Sequence, residues 1–488
     1  MTQAMPYLVL SSSLVPAVVI FLLAEDQQRL RTVVNLVGAV AKLGLVMVML
    51  DGVARGVVYE TRLTLLPELE LLFRVDALAL LFLTLSAFLW LLTTIYAISY
   101  LGDGPNLSRF FGFFSLCVAA TAGIAISGTL ITFFIFYELL TLSTWPLVVH
   151  HGDKASMAAG RRYLVYTLGG SAAFLLGIVW LESLTGPIEF TLAGQVAELD
   201  PYTLQVIFVL LIGGLGVKAA LVPLHGWLPA AMVAPAPVSA LLHAVAVVKA
   251  GAFGIVRIIF DVYGTALLDA LSLGLPLAGL ASFTIIYASL RAWQQSDIKR
   301  RLAFSTVSQI SYIALGAALF GPSATIGGLV HVVHQGLMKI TLFFCAGALS
   351  KQLHIESVEQ LDGAGRRMPW TMAAFSIGGL GMIGVPPLAG FITKWYLGVG
   401  ALQAGQGWVI GVVAASSLLN AAYFLPPIYR AWFLPAPADM APGGEGDPWL
   451  VGPAVVTALA AIMAGVLAGL AFSPLGWATL IVERNYVP

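Results

Sequence analysis

The sequence has little charge and almost no cysteine, and both shortages exclude large classes of protein. Only 10% of the 488 residues are charged, whereas about a quarter of an average soluble domain is charged. A water-soluble enzyme or binding domain is therefore excluded. The two cysteines, Cys117 and Cys345, lie far apart in apolar segments, so the chain has no disulfide framework and no CxxC motif for redox chemistry or metal binding. We expect no cofactor and no metal.

An excess of charge of either sign is also missing. Lys plus Arg and Asp plus Glu each total 24, so nothing suggests a nucleic acid or an acidic partner. Apolar residues are abundant instead, with 59% hydrophobic residues and a mean hydropathy of +0.93. Only helices and closed barrels satisfy backbone groups in lipid, and the short alternating segments of barrel strands are missing here. The sequence therefore predicts an all-α, polytopic integral membrane protein.

Fourteen apolar segments are long enough to span a bilayer, which takes about 20 residues. They cover 7–24, 32–50, 75–99, 110–128, 130–150, 163–183, 204–224, 237–260, 265–290, 302–320, 324–349, 370–397, 408–432 and 449–473. The first segment has no basic residues before it and no small-residue cleavage site after it. We expect it to be a retained span rather than a cleaved signal peptide.

Basic residues between these spans alternate in number and predict the orientation. One set of loops and span ends holds Arg29, Arg31, Arg109, Lys154, Arg161, Arg162, Arg291, Lys299, Arg300, Arg301, Lys351, Arg366, Arg367 and Arg430. The other set holds only Arg55, Arg62, Arg74, Arg257 and Arg484. Because Lys and Arg concentrate in cytoplasmic loops, the first set is expected in the cytoplasm and both termini are expected outside.

A few ionisable residues remain inside the predicted spans. They are Lys42, Lys218, Lys249, Lys339 and Lys394, together with Glu138 as the single acid at a mid-span position. Each costs about 2.5–3.5 kcal/mol near a helix centre, so a set of this size indicates a function. Lys42, near the middle of a weakly amphipathic helix, is interpreted as a structural residue. The others predict a path for protons or cations.

Glu138 and Lys218 form the first candidate site on this path. Glu138 lies in the apolar run FFIFYELL (133–140), where an ionised carboxylate needs a cationic or hydrogen-bonding partner. Lys218 is the obvious partner. A lysine whose carboxylate neighbour comes and goes is a proton site of switchable affinity.

The remaining titratable residues would extend the path across the membrane. They are His243, Lys249, His331, His334, Lys339 and Lys394, all of which can take and release a proton. His331 and His334 are one helical turn apart and share a face. An equally acceptable interpretation is that these two histidines are merely hydrogen-bonded core residues.

A short internal repeat points to two broken helices. The motif IGGLG occurs at 212–216 and again at 377–381, and each copy is followed by Pro-Leu, at Pro223 and Pro387. The two copies lie five spans apart, so they run in opposite directions. Inverted repeats with Gly/Pro-broken helices indicate an ion site at mid-membrane, although glycines can also simply allow close packing. We expect segments 1–109, 110–260, 261–432 and 433–488, the middle two being inverted five-helix repeats.

Four longer motifs resemble those of a known family. They are GVKAALVPLHGWLP (216–229), APAPVSALLHA (234–244) continuing to Lys249, SDIKRRLAFSTVSQ (296–309) and PPLAGFITK (386–394). In this order they are similar to the antiporter-like subunits shared by respiratory complex I, membrane-bound hydrogenases and Mrp-type multisubunit cation/proton antiporters. The resemblance covers about 110–432. Chain length and Lys394 are most similar to the D-type subunit of the Mrp antiporters.

The resemblance implies a mechanism and partners. Glu138 and Lys218 would form an ion pair, Lys249 would relay protons, and Lys394 would lie at the exit. The partners would be other, homologous membrane subunits, with sodium or potassium handled by another subunit, in a bacterial or archaeal cell membrane. The chain would have no catalytic chemistry of its own.

Three further interpretations remain open. The first is the proton-pumping arm of a complex I-like or hydrogenase redox complex, in which the chain would be part of a translocase. Another is a membrane subunit of an inorganic-carbon uptake complex. A self-contained transporter of an organic solute would need a substrate pocket, and this interior offers titratable residues instead. The neighbouring genes would separate antiport, redox-driven pumping and carbon uptake.

Overall fold

The structure, a computed structural model, describes residues 2–66, 69–190, 196–437 and 443–486. Its first seven helices are α1 (Met5–Leu22), α2 (Gln28–Ala54), α3 (Ala77–Leu101), α4 (Leu107–Ala125), α5 (Leu130–Val148), α6 (Lys154–Thr185) and α7 (Pro201–Lys218). The next six are α8 (Trp227–Ala230), α9 (Ala236–Ala240), α10 (Val247–Arg257), α11 (Thr265–Ala270), α12 (Gly274–Trp293) and α13 (Ile298–Ala318). The last seven are α14 (Pro322–Leu353), α15 (Ala364–Arg367), α16 (Pro369–Ile383), α17 (Ala389–Gln403), α18 (Trp408–Phe433), α19 (Pro448–Val466) and α20 (Pro474–Asn485). The predicted C-terminal segment 433–488 lies partly outside the described residues.

The all-α membrane fold is confirmed. Within the described residues, eleven helices are long and apolar enough to cross a membrane. The other three predicted spans correspond to α9 with α10, to α13, and to α16 with α17. Two of these are interrupted helices, and α13 is rich in Ser, Thr and Gln. Fourteen spans therefore remain a prediction.

Many helices begin at a side chain that accepts a hydrogen bond from the first turn. Asp76, Asp153, Asp200 and Asp297 cap α3, α6, α7 and α13 in this way. An N-terminal cap satisfies one of the free backbone N–H groups and contributes about 1 kcal/mol. These aspartates also place a negative charge at the positive end of each helix dipole. The helix starts are thus encoded locally.

A β-hairpin is an architectural element that the apolar segments of the sequence did not predict. Strands β1 (Tyr59–Leu66) and β2 (Leu69–Val75) pair antiparallel between α2 and α3. Arg62 and Arg74 of the hairpin both bind the carboxylate of Glu189, at 2.9 and 2.8 Å. Arg74 also binds Glu60 at 2.7 Å. The ion network ties the hairpin to the segment that follows α6.

The core is organised around α14. This helix is almost entirely buried and packs against α3, α13, α16, α17 and α19. The two predicted helix breaks are present. Helix α7 ends at Lys218 and helical structure resumes at Trp227, while α16 ends at Ile383 and α17 begins at Ala389. Lys218 and Lys394 beside the breaks are buried, whereas Pro223 in the first break and 385–387 in the second are exposed.

Candidate proton path

The structure buries seven of the eight predicted path residues. Lys218, His243, His334 and Lys339 are fully buried, Lys249 and His331 are 1% exposed, and Lys394 is 9% exposed. Glu138 differs, because it is only partly buried. The predicted path residues are therefore interior, except for Glu138, which approaches the surface of the chain.

Lys218 and Glu138 are neighbours without the expected direct ion pair. The Lys218 ammonium donates to the backbone oxygen of Tyr137 and lies over the Tyr137 ring. Glu138 instead accepts a hydrogen bond from Ser171 of α6. Consecutive helical residues point about 100° apart, so a lysine that approaches Tyr137 faces away from the Glu138 side chain. No nitrogen–oxygen pair of the two side chains lies within 4 Å in the described structure.

Lys218 occupies the last position of α7, where the helix dipole favours a cation. Gly251 of α10 allows α10 to approach this end closely. A Cβ atom on Gly251 would lie 2.3 Å from the backbone nitrogen of Ala219 and 2.8 Å from the carbonyl carbon of Lys218. The glycine thus brings the helix that carries Lys249 against the end of α7.

Lys249 connects α10 to the central helix. Its ammonium donates to the backbone oxygen of Val332 on α14 at 2.7 Å, its only hydrogen bond in the described structure. Just before α10 the chain forms a π-helical turn, Leu241–Val245, which contains His243. Both ring nitrogens of His243 are buried without a partner in the part of the chain that the structure describes. Insertions of this type are frequent at functional sites, and this one aims His243 at Phe343 of α14.

His331 and His334 meet at one hydroxyl group. The Nδ1 atom of each ring lies 3.2 Å from the Oγ1 atom of Thr393 on α17. The Nε2 atoms of both rings are buried without a partner among the described residues. Their shared neighbour joins α14 to α17 and directly precedes Lys394. The pair is thus hydrogen-bonded and also in line with the other titratable residues.

Lys394 binds free carbonyl groups at the C-terminus of α16, the first half of the second broken helix. Its ammonium donates to the backbone oxygens of Met382 and Ile383 at 3.2 and 2.6 Å, and to Ser417 at 2.8 Å. The carbonyl groups at a helix C-terminus carry partial negative charge, which favours a cation. Both breaks therefore hold a lysine at a helix end.

Lys339 lies two turns beyond His331 on α14 and branches from the row. Its ammonium donates to Ser305 and, at 3.4 Å, to the backbone oxygen of Leu302 on α13. Gln335, between Lys339 and the histidines, donates to the backbone oxygen of His243 at 3.4 Å. This branch links the centre of the row to the first turns of α13.

Sequence reasoning missed the polar partners of the row and one buried ion cluster. The partners are Tyr137, Ser171, Ser305, Thr393 and Ser417. The cluster joins Arg257 to Asp76 and Asp261 at 2.6 and 2.7 Å. Asp261 was not identified as a buried acid because the predicted span ended at residue 260. In the structure a π-helical segment, Ile258–Tyr263, continues the helix. Thr393 could have been noticed, since it directly precedes Lys394.

These contacts order the residues into one row. From α7 the row passes from Lys218 to Lys249, then along α14 to His331, and through Thr393 to Lys394. The row thus crosses from α7 to α10, from α10 to α14 and from α14 to α17. Proton carriers separated by hydroxyl and carbonyl groups can pass protons by short transfers, with water filling the gaps. The described residues contain no cluster of His, Cys, Asp and Glu that could hold a metal.

The fold is that of a polytopic membrane protein with an interior row of ionisable side chains, and comparison with known proteins identifies the family. The family described as NADH:quinone oxidoreductase/Mrp antiporter, TM, matches residues 127–420. The family described as NADH-Ubiquinone oxidoreductase (complex I), chain 5 N-terminus, matches residues 67–111. The first match covers more than half of the chain. The chain belongs to the antiporter-like membrane subunits.

Individual relatives come from several complexes. NADH-quinone oxidoreductase subunit N of Desulforudis audaxviator is 37% identical over 75% of this chain and 74% of that protein. Hydrogenase-4 component B of Escherichia coli is 31% identical over 67% of this chain, and the match spans half of that longer protein. A chain of the Mrp complex from a Dietzia species superposes with a TM-score of 0.88 at 25% identity, covering 99% of this chain and 98% of that chain.

Proposed function

We propose that this chain is a proton-translocating subunit of a multisubunit Mrp-type cation/proton antiporter, similar to the D-type member of such complexes. The observation that carries the proposal is the row of buried bases that runs from one helix break to the other. Protons would enter and leave the row by protonation of Lys218, Lys249, the two histidines and Lys394. Glu138, which is partly exposed and close to Lys218, would modulate the proton affinity of Lys218.

Protons suit this row better than metal cations. Sodium and potassium need several oxygen ligands at one place, whereas the row consists of nitrogen bases. Among the described residues Glu138 is the only carboxylate beside the row, and it accepts a hydrogen bond from Ser171. Any sodium or potassium would therefore cross in another subunit of the complex.

The proposed orientation follows the distribution of basic residues. The ends that carry Arg31, Lys299 and Lys351 would face the cytoplasm, and both termini would lie outside the cell membrane. Residues 110–260 and 261–432 would form two inverted repeats. The similar location of Lys218 and Lys394 at helix breaks supports this symmetry.

Substitution of Lys249 tests the proposal most directly. Lys249→Met keeps the length of the side chain and removes its proton site. In complex purified through a tag on this chain and reconstituted in vesicles, we expect proton transport to fall to background while the complex keeps its subunits. Lys154→Met at the exposed start of α6 is the matched control, and it should transport like the wild type. Undiminished transport by Lys249→Met would contradict the proposal.

A redox-driven proton pump is the second candidate, favoured by the 37% identity to a subunit of NADH-quinone oxidoreductase. The row of bases would work in the same way, but a soluble redox module would supply the energy. The subunits that copurify with the tagged chain separate the candidates. Small membrane subunits without redox proteins support antiport, whereas flavin or iron–sulfur proteins support the redox pump.

A further inference from the structure

A second group of buried polar side chains lies outside the row, where α2, α3 and α4 meet. On α2 the buried face contains Arg31, Asn35 and Lys42, which are 2%, 0% and 0% exposed. Facing residues of α4 pair with them in order. Arg31 donates to Ser108 at 2.9 Å, and Ser115 donates to Asn35 at 3.0 Å. We call the space between these three helices the N-terminal seam.

Lys42 lies deepest in the N-terminal seam. Its ammonium donates to the backbone oxygen of Val118 on α4 at 3.2 Å and lies 5.4 Å from the centre of the Trp90 ring on α3. Lys42 follows Arg31 by eleven residues, which is about 16 Å along a helix and half of a bilayer core of roughly 30 Å. The full burial of Lys42 excludes the snorkelling that would place its charge at the membrane surface.

Helix α3 adds unsatisfied polar atoms to the same seam. Ser86, Trp90 and Thr94 follow each other at four-residue spacing, so they share one face, and Trp90 places that face toward Lys42. Each has a buried side-chain nitrogen or oxygen without a hydrogen-bond partner in the described structure. The Nδ2 atom of Asn35 is also buried without a partner there. Four unsatisfied polar atoms in one seam are the usual sign of internal water.

Lys42 itself lacks the contacts that a fixed charge needs. An ammonium has three donors, and Lys42 uses one of them on an acceptor among the described residues. Lys394, by comparison, has three acceptors. Lys42 resembles Lys249, which also has a single carbonyl partner. Sparse bonding of this kind allows a lysine to gain and lose a proton, provided that water reaches it.

The charged residues of the seam lie at one end. At the Arg31 end, Glu25 is half exposed and caps the first turn of α4. Beyond Lys42 the same face of α2 continues with Val46 and Met49, both fully buried. The seam therefore has charged residues at its Arg31 end, whereas beyond Lys42 the face of α2 is apolar and Ser86 of α3 contributes a hydroxyl group.

Other charged or titratable groups on the elements around Lys42 point elsewhere. Those elements are α1, α3 and α4. Tyr7 of α1 donates to a backbone oxygen of the hairpin, and Tyr96 of α3 donates to a backbone oxygen of α14. On α4, Cys117 contacts α5 and Arg109 donates to the backbone oxygen of His150. Asp51 pairs with Arg55 at the far end of α2. Within the described residues, Lys42 has no carboxylate partner.

We propose that water entering from the Arg31 end turns the closely packed N-terminal seam into a hydrated cleft, and that Lys42, deepest in this cleft, is a proton-binding site separate from the row. The cleft would connect Lys42 with the side that the proposed orientation assigns to the cytoplasm. Protons from that side would reach Lys42 along the water beside Asn35 and Trp90. The assignment concerns water access and proton exchange, so it stands independently of transport by the row.

The cleft can be tested by cysteine accessibility in the assembled complex. Cys117 and Cys345 are the only native cysteines and are replaced by alanine. Lys42→Cys is then exposed in sealed vesicles to 2-aminoethyl methanethiosulfonate on one side, with a thiol scavenger on the other. We expect modification from the Arg31 side at least tenfold faster than from the opposite side. Mass spectrometry of this chain measures the rate.

Two further variants make the result decisive. Val46→Cys, one turn deeper on the same face of α2, is the matched control and should react at least tenfold more slowly. Asn35→Cys keeps Lys42 in place, so it reports on the cleft even if loss of the lysine disturbs folding. If neither Lys42→Cys nor Asn35→Cys reacts from the Arg31 side, the seam is dry and the proposal is wrong.

Proton exchange at Lys42 is measured on the native side chain. Acetic anhydride reacts with a neutral amine and not with an ammonium, so labelling of Lys42 should increase with the pH on the Arg31 side. The variant Asn35→Leu, which blocks the cleft with an apolar side chain, should slow this labelling about tenfold. A labelling rate that does not depend on the pH on that side would show that Lys42 is a fixed structural residue.

Discussion

At the scale of single residues, the hydroxyl group of Thr393 is the most informative neighbour of the row. It is the shared partner of His331 and His334. Thr393→Val keeps the shape of the side chain and removes the hydroxyl, so both rings lose their described partner. A lost hydrogen bond of about 1–1.5 kcal/mol corresponds to roughly a tenfold change in rate. We expect proton transport in vesicles to fall by about that factor.

The matched control is Thr393→Ser, which keeps the hydroxyl and should retain most of the transport. Equal transport by the valine and serine variants would show that protons bypass the two histidines. Lys339 and its partner Ser305 would then be the next residues to test.

Lys394 offers a second test at the same scale, because its two conceivable roles separate on one variant. Arginine keeps the charge but does not release its proton at physiological pH. A relay role predicts that Lys394→Arg and Lys394→Ala both lose transport. A purely electrostatic role predicts that only the alanine variant fails. We expect both to fall to background under an imposed proton gradient, with normal assembly. Normal transport by both would make Lys394 a structural residue.

The sequence identifies the members of the row but not their partners. Charged side chains in apolar segments are conspicuous because they are costly there. The partner of each charge depends on how the helices are rotated, which span prediction does not supply. Lys218 illustrates this limit. It contacts Tyr137, whereas its expected partner Glu138 is the next residue along α5. On a helix, the side chains of consecutive residues point about 100° apart.

At the scale of secondary structure, the second helix break depends on Gly384. This residue ends α16 with a φ angle of +92°, and a Cβ atom added to it would lie 2.8 Å from the Cδ atom of Lys394. Gly384→Ala therefore combines backbone strain of about 1–3 kcal/mol with a displaced Lys394. We expect a Tm several degrees lower and a large loss of transport. Gly398→Ala, in α17 with open space around its Cα, is the matched control and should preserve both.

Breaks of this kind are predictable, whereas other irregular elements are not. Proline and glycine mark the two breaks directly in the sequence. The hairpin leaves no signal in long apolar windows, because its strands of seven or eight residues fall between them. The π-helical turn at Leu241–Val245 has no such marker either, because its extra residue is accommodated by packing against α14.

At the scale of the whole molecule, the uncertain spans are those nearest the path. Helix α13 is buried along most of its length yet carries Ser305, Thr306, Ser308, Gln309 and Ser311. A helix surrounded by protein need not be apolar, so hydropathy alone underestimates it. The segments that contain Lys249 and Lys394 are interrupted, so their helices are too short to be recognised as spans. Polar and interrupted helices around the candidate path thus weaken the signals by which spans are recognised.

Cysteine labelling from each side of the membrane tests whether the segment that contains Lys249 is a span. Glu198 follows six predicted spans and Ser296 follows nine, so Glu198→Cys should be labelled from outside and Ser296→Cys from the cytoplasm. The labels are scored with an impermeant thiol reagent in the variant that lacks Cys117 and Cys345. If the interrupted segment around Lys249 did not cross the membrane, both cysteines would react from the same side. That result would also remove Lys249 from mid-membrane, and with it the continuous row.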